Sequence, residues 1–209
     1  VALSTALLGA SCSNDDNGTA TTDTSAPGTS VSSTPGDTTT KGTDATGDGN
    51  KGGIDTMPDA NTDTKTAPYG GDASTGIPLL QAVRVARQEG FDRVTFEFAG
   101  PNVPGYEIGY TERPITEDGS GNEVTVQGDH VVKVRFEPAS GVDLTGATMQ
   151  EIYTGPTVVT GDTSTVNEVV RTGDFEAVLS WAVGLADKVD FRVSTLESPS
   201  RVVIDFRNH

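Results

Sequence analysis

Three stretches of the chain alternate apolar and polar residues with a period of two, and this pattern restricts its fold more than any other feature. In FDRVTFEF, Val94, Phe96 and Phe98 fall on one face and Arg93, Thr95 and Glu97 on the other. In VVKVRFE, Val132, Val134 and Phe136 alternate with Lys133, Arg135 and Glu137, and in RVVIDFR, Val202, Ile204 and Phe206 alternate with Arg201, Val203, Asp205 and Arg207. Successive side chains of a strand point to opposite faces, so each stretch reads as a strand with one apolar and one mainly polar face. Such strands assemble as antiparallel sheets packed on a shared core. Asp92 to Phe98 and Ser200 to Phe206 also share Arg-Val, an acid and a final Phe in register. Two such strands pair or hold equivalent places in two sheets, although strand composition alone also produces the echo.

A fourth stretch, EAVLSWAVGL, is ambiguous by propensity. Phe175, Ala177, Leu179, Trp181, Val183 and Leu185 alternate with smaller or polar residues, so it reads as a strand with Trp181 in the core. Turn chemistry lies between the strands. Gly119, Gly121 and Asn122 in EDGSGNE tolerate positive φ, and Thr172-Gly173-Asp174 is short enough to close a hairpin before Phe175. With no long helical stripe, the expected fold class is all-β, an antiparallel β-sandwich.

The sandwich does not account for the whole chain. Residues 13–76 hold ten Asp, three Lys, no Glu or Arg, sixteen Thr and one aromatic, Tyr69. Such a composition offers too little apolar surface to offset the entropy of ordering the backbone. It predicts a disordered Thr/Asp/Gly/Ser-rich tether over 13–76, with an end-to-end distance of about 40–50 Å, followed by one domain over 77–209. The net charge of -16 is shared by both parts, and no Lys or Arg cluster forms a basic stripe. Nucleic acid is therefore not an expected partner, and surface adhesion to anionic lipid is disfavoured.

The single cysteine, Cys12, has no second thiol to pair with. An uncharged run of small and apolar residues precedes it, ending Gly9-Ala10-Ser11, and the polar SNDDNG follows at once. This resembles a bacterial lipoprotein signal, which implies cleavage before Cys12 and a diacylglycerol thioether on its sulfur. Residues 1–12 are then a signal-peptide remnant ending at the lipidation site. The other reading is an ordinary secretory signal discarded together with a stray thiol. The order of apolar run, small-residue site and polar exit favours lipidation, and attachment by two or more acyl chains is stable where one is not.

Taken in order, FDRVTFEF, PGYEIGY, EDGSGNEVTVQGD, YTGPT, RTGDFEAVLSWAVGL and FRVSTLESPSRVVIDF resemble the AMIN-like domain of actinobacterial lipoproteins, over approximately Ile77 to Arg207. The resemblance implies a non-catalytic β-sandwich that binds peptidoglycan or a linked cell-wall polysaccharide. It brings no catalytic residues to carry over. The expected location is the extracytoplasmic face of the cell membrane, held through the lipid on Cys12. The alternative function is a protein-interaction module that docks on another envelope protein, for example through a sheet edge.

The residue inventory argues in the same direction. With two histidines, His130 and His209, no zinc-ligand spacing occurs, and Asp118-Gly119-Ser120-Gly121 lacks the nucleophile-elbow pattern. The acidic turn from Asp118 to Glu123 fails the EF-hand spacing. No enzyme, cofactor or metal is expected. Tyr106, Tyr110 and Tyr153 are the candidate ligand contacts, because a glycan is held by aromatic faces and a few planar polar groups. The competing role for these rings is core packing with the hydroxyl at the rim, which Ile108 between Tyr106 and Tyr110 favours. Arg93, Arg201 and Arg207 either meet carboxylates of a wall peptide or solvate the sheet.

Overall fold

The computed structural model describes residues 57–208, all within the unit Lys51–His209. Among the described residues the regular structure is twelve strands and one short 3-10 turn, Ala73–Thr75. The strands are β1 (Lys65–Ala67), β2 (Leu79–Gln88), β3 (Phe91–Ala99), β4 (Gly105–Thr111), β5 (His130–Glu137) and β6 (Val142–Asp143). They continue with β7 (Gln150–Glu151), β8 (Val158–Thr160), β9 (Val166–Phe175), β10 (Val178–Leu185), β11 (Phe191–Leu196) and β12 (Ser200–Arg207). A six-stranded sheet runs β1-β4-β5-β10-β9-β8, a four-stranded sheet runs β11-β12-β3-β2, and β6 and β7 form a small hairpin. Every pairing between these strands is antiparallel.

The period-two stretches supply the core. Val94, Phe96 and Phe98 of β3 and Val202, Ile204 and Phe206 of β12 face Val132, Val134 and Phe136 of β5 and Leu179, Trp181 and Val183 of β10. Across the gap Phe96 meets Phe136 edge-on at 5.0 Å and Trp181 at 5.8 Å. The architecture is thus the expected β-sandwich, each sheet burying its apolar face against the other. The two echoing segments pair directly, with Val202 opposite Phe96 and Ile204 opposite Val94. EAVLSWAVGL contributes β10, with Trp181 fully buried.

The hairpin after β9 turns later than expected. Thr172-Gly173-Asp174 belongs to β9, and the turn is Glu176-Ala177, with φ of 51° and 60°, between paired Phe175 and Val178. Gly173 serves close approach inside the strand instead of a turn, because the Asp118 carboxylate lies 2.5 Å from where a Cβ on Gly173 would be. Phe175 accordingly leaves the inward alternation and stands 63% exposed. The EDGSGNE turn forms where expected, with Gly119 and Gly121 at φ 88° and 72° and Thr116 bridged to Glu123.

The folded chain also begins before Ile77, which corrects the expected boundary. Residues 57–76, assigned by composition to the tether, form a strap on the sandwich. Met57 is fully buried, and its carbonyl accepts a hydrogen bond from Arg207 at 3.1 Å. Asn61 and Phe191 exchange both backbone hydrogen bonds, at 3.2 and 3.0 Å, which fixes the strap to the edge strand β11 of one sheet. Lys65–Ala67 then pairs with Tyr106–Ile108 at the edge of the other sheet. The strap crosses from sheet to sheet along one open side. Composition misjudged it because strand pairing satisfies backbone groups without demanding apolar side chains. The expected signal remnant 1–12, with Cys12, and the tether up to residue 56 lie outside the described residues.

Candidate functional site

Strand β4 puts Tyr106, Ile108 and Tyr110 on the inner face, with Ile108 fully buried and the tyrosines half-buried at either end. Tyr110 is used by the fold. Its hydroxyl donates to the Val189 carbonyl at 2.7 Å and accepts from the Val189 amide at 2.9 Å. Its ring packs on Phe191 at 5.9 Å, beneath the Lys188 ammonium at 5.1 Å. Burial pushes its pKa up, the Val189 bond opposes this, and the charge of Asp190 adds to it.

Tyr153 is a core residue at 2% exposure, which corrects its assignment as a ligand contact. The ring stands edge-on to Trp181 at 5.5 Å, and the hydroxyl donates to the Pro156 carbonyl at 2.8 Å. Neither ring face is available to a polymer.

Tyr106 differs from both. It lines two adjoining clefts of about 390 and 310 Å³ on either side of the end of β1, which share Ala67, Pro68 and Tyr106. The first also contains Tyr69, Glu107, Arg135 and Glu137, and the second Asn102, Pro104, Thr195 and Glu197. The Asn102 amide donates to the Tyr69 hydroxyl at 3.3 Å and to Thr75 Oγ1, and that hydroxyl donates to the Gly76 carbonyl at 3.3 Å. Strap and sandwich are therefore joined at the site. Burial raises the pKa of Tyr106, so its hydroxyl stays protonated near neutrality and can both donate and accept. Two tyrosines, three prolines, a planar amide and flanking charges offer apolar surface for sugar rings and polar groups for hydroxyls or peptide amides.

A larger groove of about 630 Å³ runs beside β9, and three of its charged groups are engaged within the fold. Asp174 accepts the Gly141 amide at 2.8 Å, Asp118 lies 3.8 Å from Lys133, and the Arg171 guanidinium stands 6.0 Å from the Tyr153 ring. No aromatic residue lines that groove. Among the described residues no group of three or more His, Cys, Asp or Glu comes together as a metal set.

The arginines expected on outward faces are mostly tied down. Arg93 meets Asp205 through two bonds, Arg207 donates to Met57, and Arg201 Nε donates to the Pro199 carbonyl at 3.2 Å. His130 is exposed, 6.5 Å from the ring of Tyr110. The strap residues Pro68 and Tyr69, with Asn102 and Glu197, escaped the sequence reading. One signal could have found Tyr69: it is the sole aromatic in residues 13–76.

The profile of the AMIN-like domain matches residues 78–208, from just ahead of β2 to the last described residue. The chain belongs to the AMIN-like domain family. No curated protein and no solved structure gives a match. Within the AMIN-like domain lie β2 to β12, including Tyr106, Asn102 and Glu197, whereas Pro68 and Tyr69 reach the clefts from the strap ahead of it.

Proposed function

We propose that the chain is a non-catalytic envelope lipoprotein, anchored to the extracytoplasmic face of the membrane through acylated Cys12, whose AMIN-like domain binds peptidoglycan or wall-linked polysaccharide. Family membership supports a wall-related role, and the observation that carries the binding reading is the pair of clefts around Tyr106. There an aromatic ring, prolines and planar polar groups converge at the rim of the sandwich. The acidic sandwich takes the polymer through stacking and hydrogen bonds, with little help from net charge.

Co-sedimentation of the protein with purified, protein-free peptidoglycan, with and without its linked polysaccharide, tests this. Saturable pelleting that weakens in Tyr106→Ala supports it, and a domain that stays in the supernatant at every salt concentration overturns it. Fatty-acid labelling of intact cells tests the anchor, since Cys12→Ala abolishes label if the proposal is correct. The rival reading, docking on another envelope protein, draws on the ten-residue strand β2 at the edge of the four-stranded sheet. A docking module leaves protein-free peptidoglycan unbound.

A further inference from the structure

We infer that strap docking and polymer binding are one linked equilibrium: residues 57–76 form a latch that completes the Tyr106 clefts with Pro68 and Tyr69, so that bound polymer holds the strap down. The inference rests on the polymer-binding reading above and adds to it a ligand-responsive element outside the family match at 78–208.

The geometry couples the two sites. Both clefts are walled on one side by the end of the strap; the sandwich side is β4 with Arg135 and Glu137 of β5 in the first, and Tyr106 with the loop at Asn102 and Thr195 in the second. A ligand seated in either therefore touches strap and sandwich together, and it has no complete site once the strap leaves. The strap's sheet pairing is slight, a three-residue edge strand bonded on one side to β4 plus the Asn61–Phe191 exchange. Its other ties include buried Met57, whose carbonyl Arg207 bonds, Lys65 over the Phe191 ring, and the Asn102 bonds to Tyr69 and Thr75. Segments held so lightly open at far lower free energy than a core strand. A ligand that binds only the docked state lowers the open population by the factor 1 + [L]/Kd.

Trypsin reads this opening directly. Lys65 is the first residue of β1, its ammonium bonds the Asn61 side chain and lies 5.2 Å from the Phe191 ring, and its peptide bond is in the sheet pairing. Cleavage at Lys65–Thr66 requires the strap to leave. The probe is the soluble glycan-peptide fragments that a muramidase releases from purified peptidoglycan, and the readout is the rate of that one cut by mass spectrometry. With fragments at about ten times their dissociation constant, the cut slows about tenfold.

A variant tests the link from the other side. On Gly109, a Cβ would stand 2.5 Å from Thr64 Oγ1, so Gly109→Val pushes the strap away without altering a cleft residue. This variant is expected to be cut faster at Lys65 and to bind fragments at least about tenfold more weakly, while the sandwich still melts cooperatively. Saturable fragment binding that leaves the wild-type cutting rate unchanged overturns the latch and spares the binding reading. Fragments that do not bind the wild type overturn both. The wild-type experiment stands alone if Gly109→Val fails to fold.

Discussion

Arg93 and Asp205 face each other across the β3–β12 pair, and the guanidinium meets the carboxylate through Nε and Nη2 at 2.7 and 3.0 Å. Period two assigned Asp205 to the polar face of its strand, yet it is 1% exposed, because Arg192 from β11 closes on it as well, with Nη2 at 3.0 Å. Two arginines thus roof one carboxylate on the outer face of the four-stranded sheet. Asp205→Asn removes the charge both depend on. Each arginine keeps about a third of its side chain in water, which screens the loss. The expected destabilisation is about 2 kcal/mol, read as a lower urea midpoint with unchanged slope.

Asp92 introduces a dependence on acid pH. It is fully buried, and it accepts the Thr165 amide at 2.8 Å and the Asn208 side chain at 2.9 Å. Burial alone raises its pKa, but the bonds from Asn208, the Thr165 amide, Thr163 and the Val166 amide together outweigh burial and hold it below the ordinary value. A carboxyl depressed in the folded state stabilises it above the unfolded pKa of about 4 and loses that contribution as pH falls through the folded value. Wild type is therefore expected to exceed Asp92→Asn in stability at pH 7, with the gap narrowing toward pH 3. Urea melts at the two pH values measure this, and a gap that widens in acid contradicts it.

The tyrosines separate a stability role from a binding role. Tyr153→Ala empties a site against Trp181 and is expected to cost about 3–5 kcal/mol. Tyr153→Phe loses only the bond to Pro156, about 1 kcal/mol, and leaves polymer pelleting unchanged. Tyr106→Ala reverses the pattern, with about 1 kcal/mol lost and pelleting weakened at least about tenfold. Paired urea melts and sedimentation curves on the three variants check the separation.

Met57 tests how independent the strap is. In a core strand, Met→Ala costs about 2–5 kcal/mol. Met57 sits on a segment that can open alone, so the loss is capped by the docking free energy of the strap. Met57→Ala is expected to move the global melt by less than about 1 kcal/mol while trypsin cuts Lys65–Thr66 several-fold faster. A global loss of the full core size shows instead that strap and sandwich unfold as one unit.

The β9–β10 turn holds Ala177 at φ 60°, where an L side chain crowds the following carbonyl. Ala177→Gly relieves that crowding and is expected to stabilise by about 1 kcal/mol in a urea melt.

Alternation made the strands and their inward faces legible, and with them the sandwich, because side-chain direction along a strand depends only on neighbouring residues. Trp181, Phe96 and Phe136 could be placed in the core on that basis, whereas the echo between β3 and β12 left open whether they pair or hold equivalent places in two sheets, and the structure pairs them. The clefts were less legible. Tyr106 lines the clefts, but the Tyr110 hydroxyl is taken by Val189 and its ring by Phe191, and the Tyr153 ring by Trp181, partners distant in the chain.

By itself the sequence determined which segments extend, which face each one buries, and that neither part of the chain carries a basic stripe. Only the tertiary structure decided that residues 57–76 form a strap, that the outward-facing Asp205 is roofed by two arginines, and that the hairpin closes at Glu176-Ala177. The physical reason is the same in each case. Strap pairing, ion-pair burial and the close approach that keeps Gly173 inside β9 depend on atoms from remote segments, such as β4 and β11 for the strap or Asp118 against Gly173, and these leave no periodic trace along the chain.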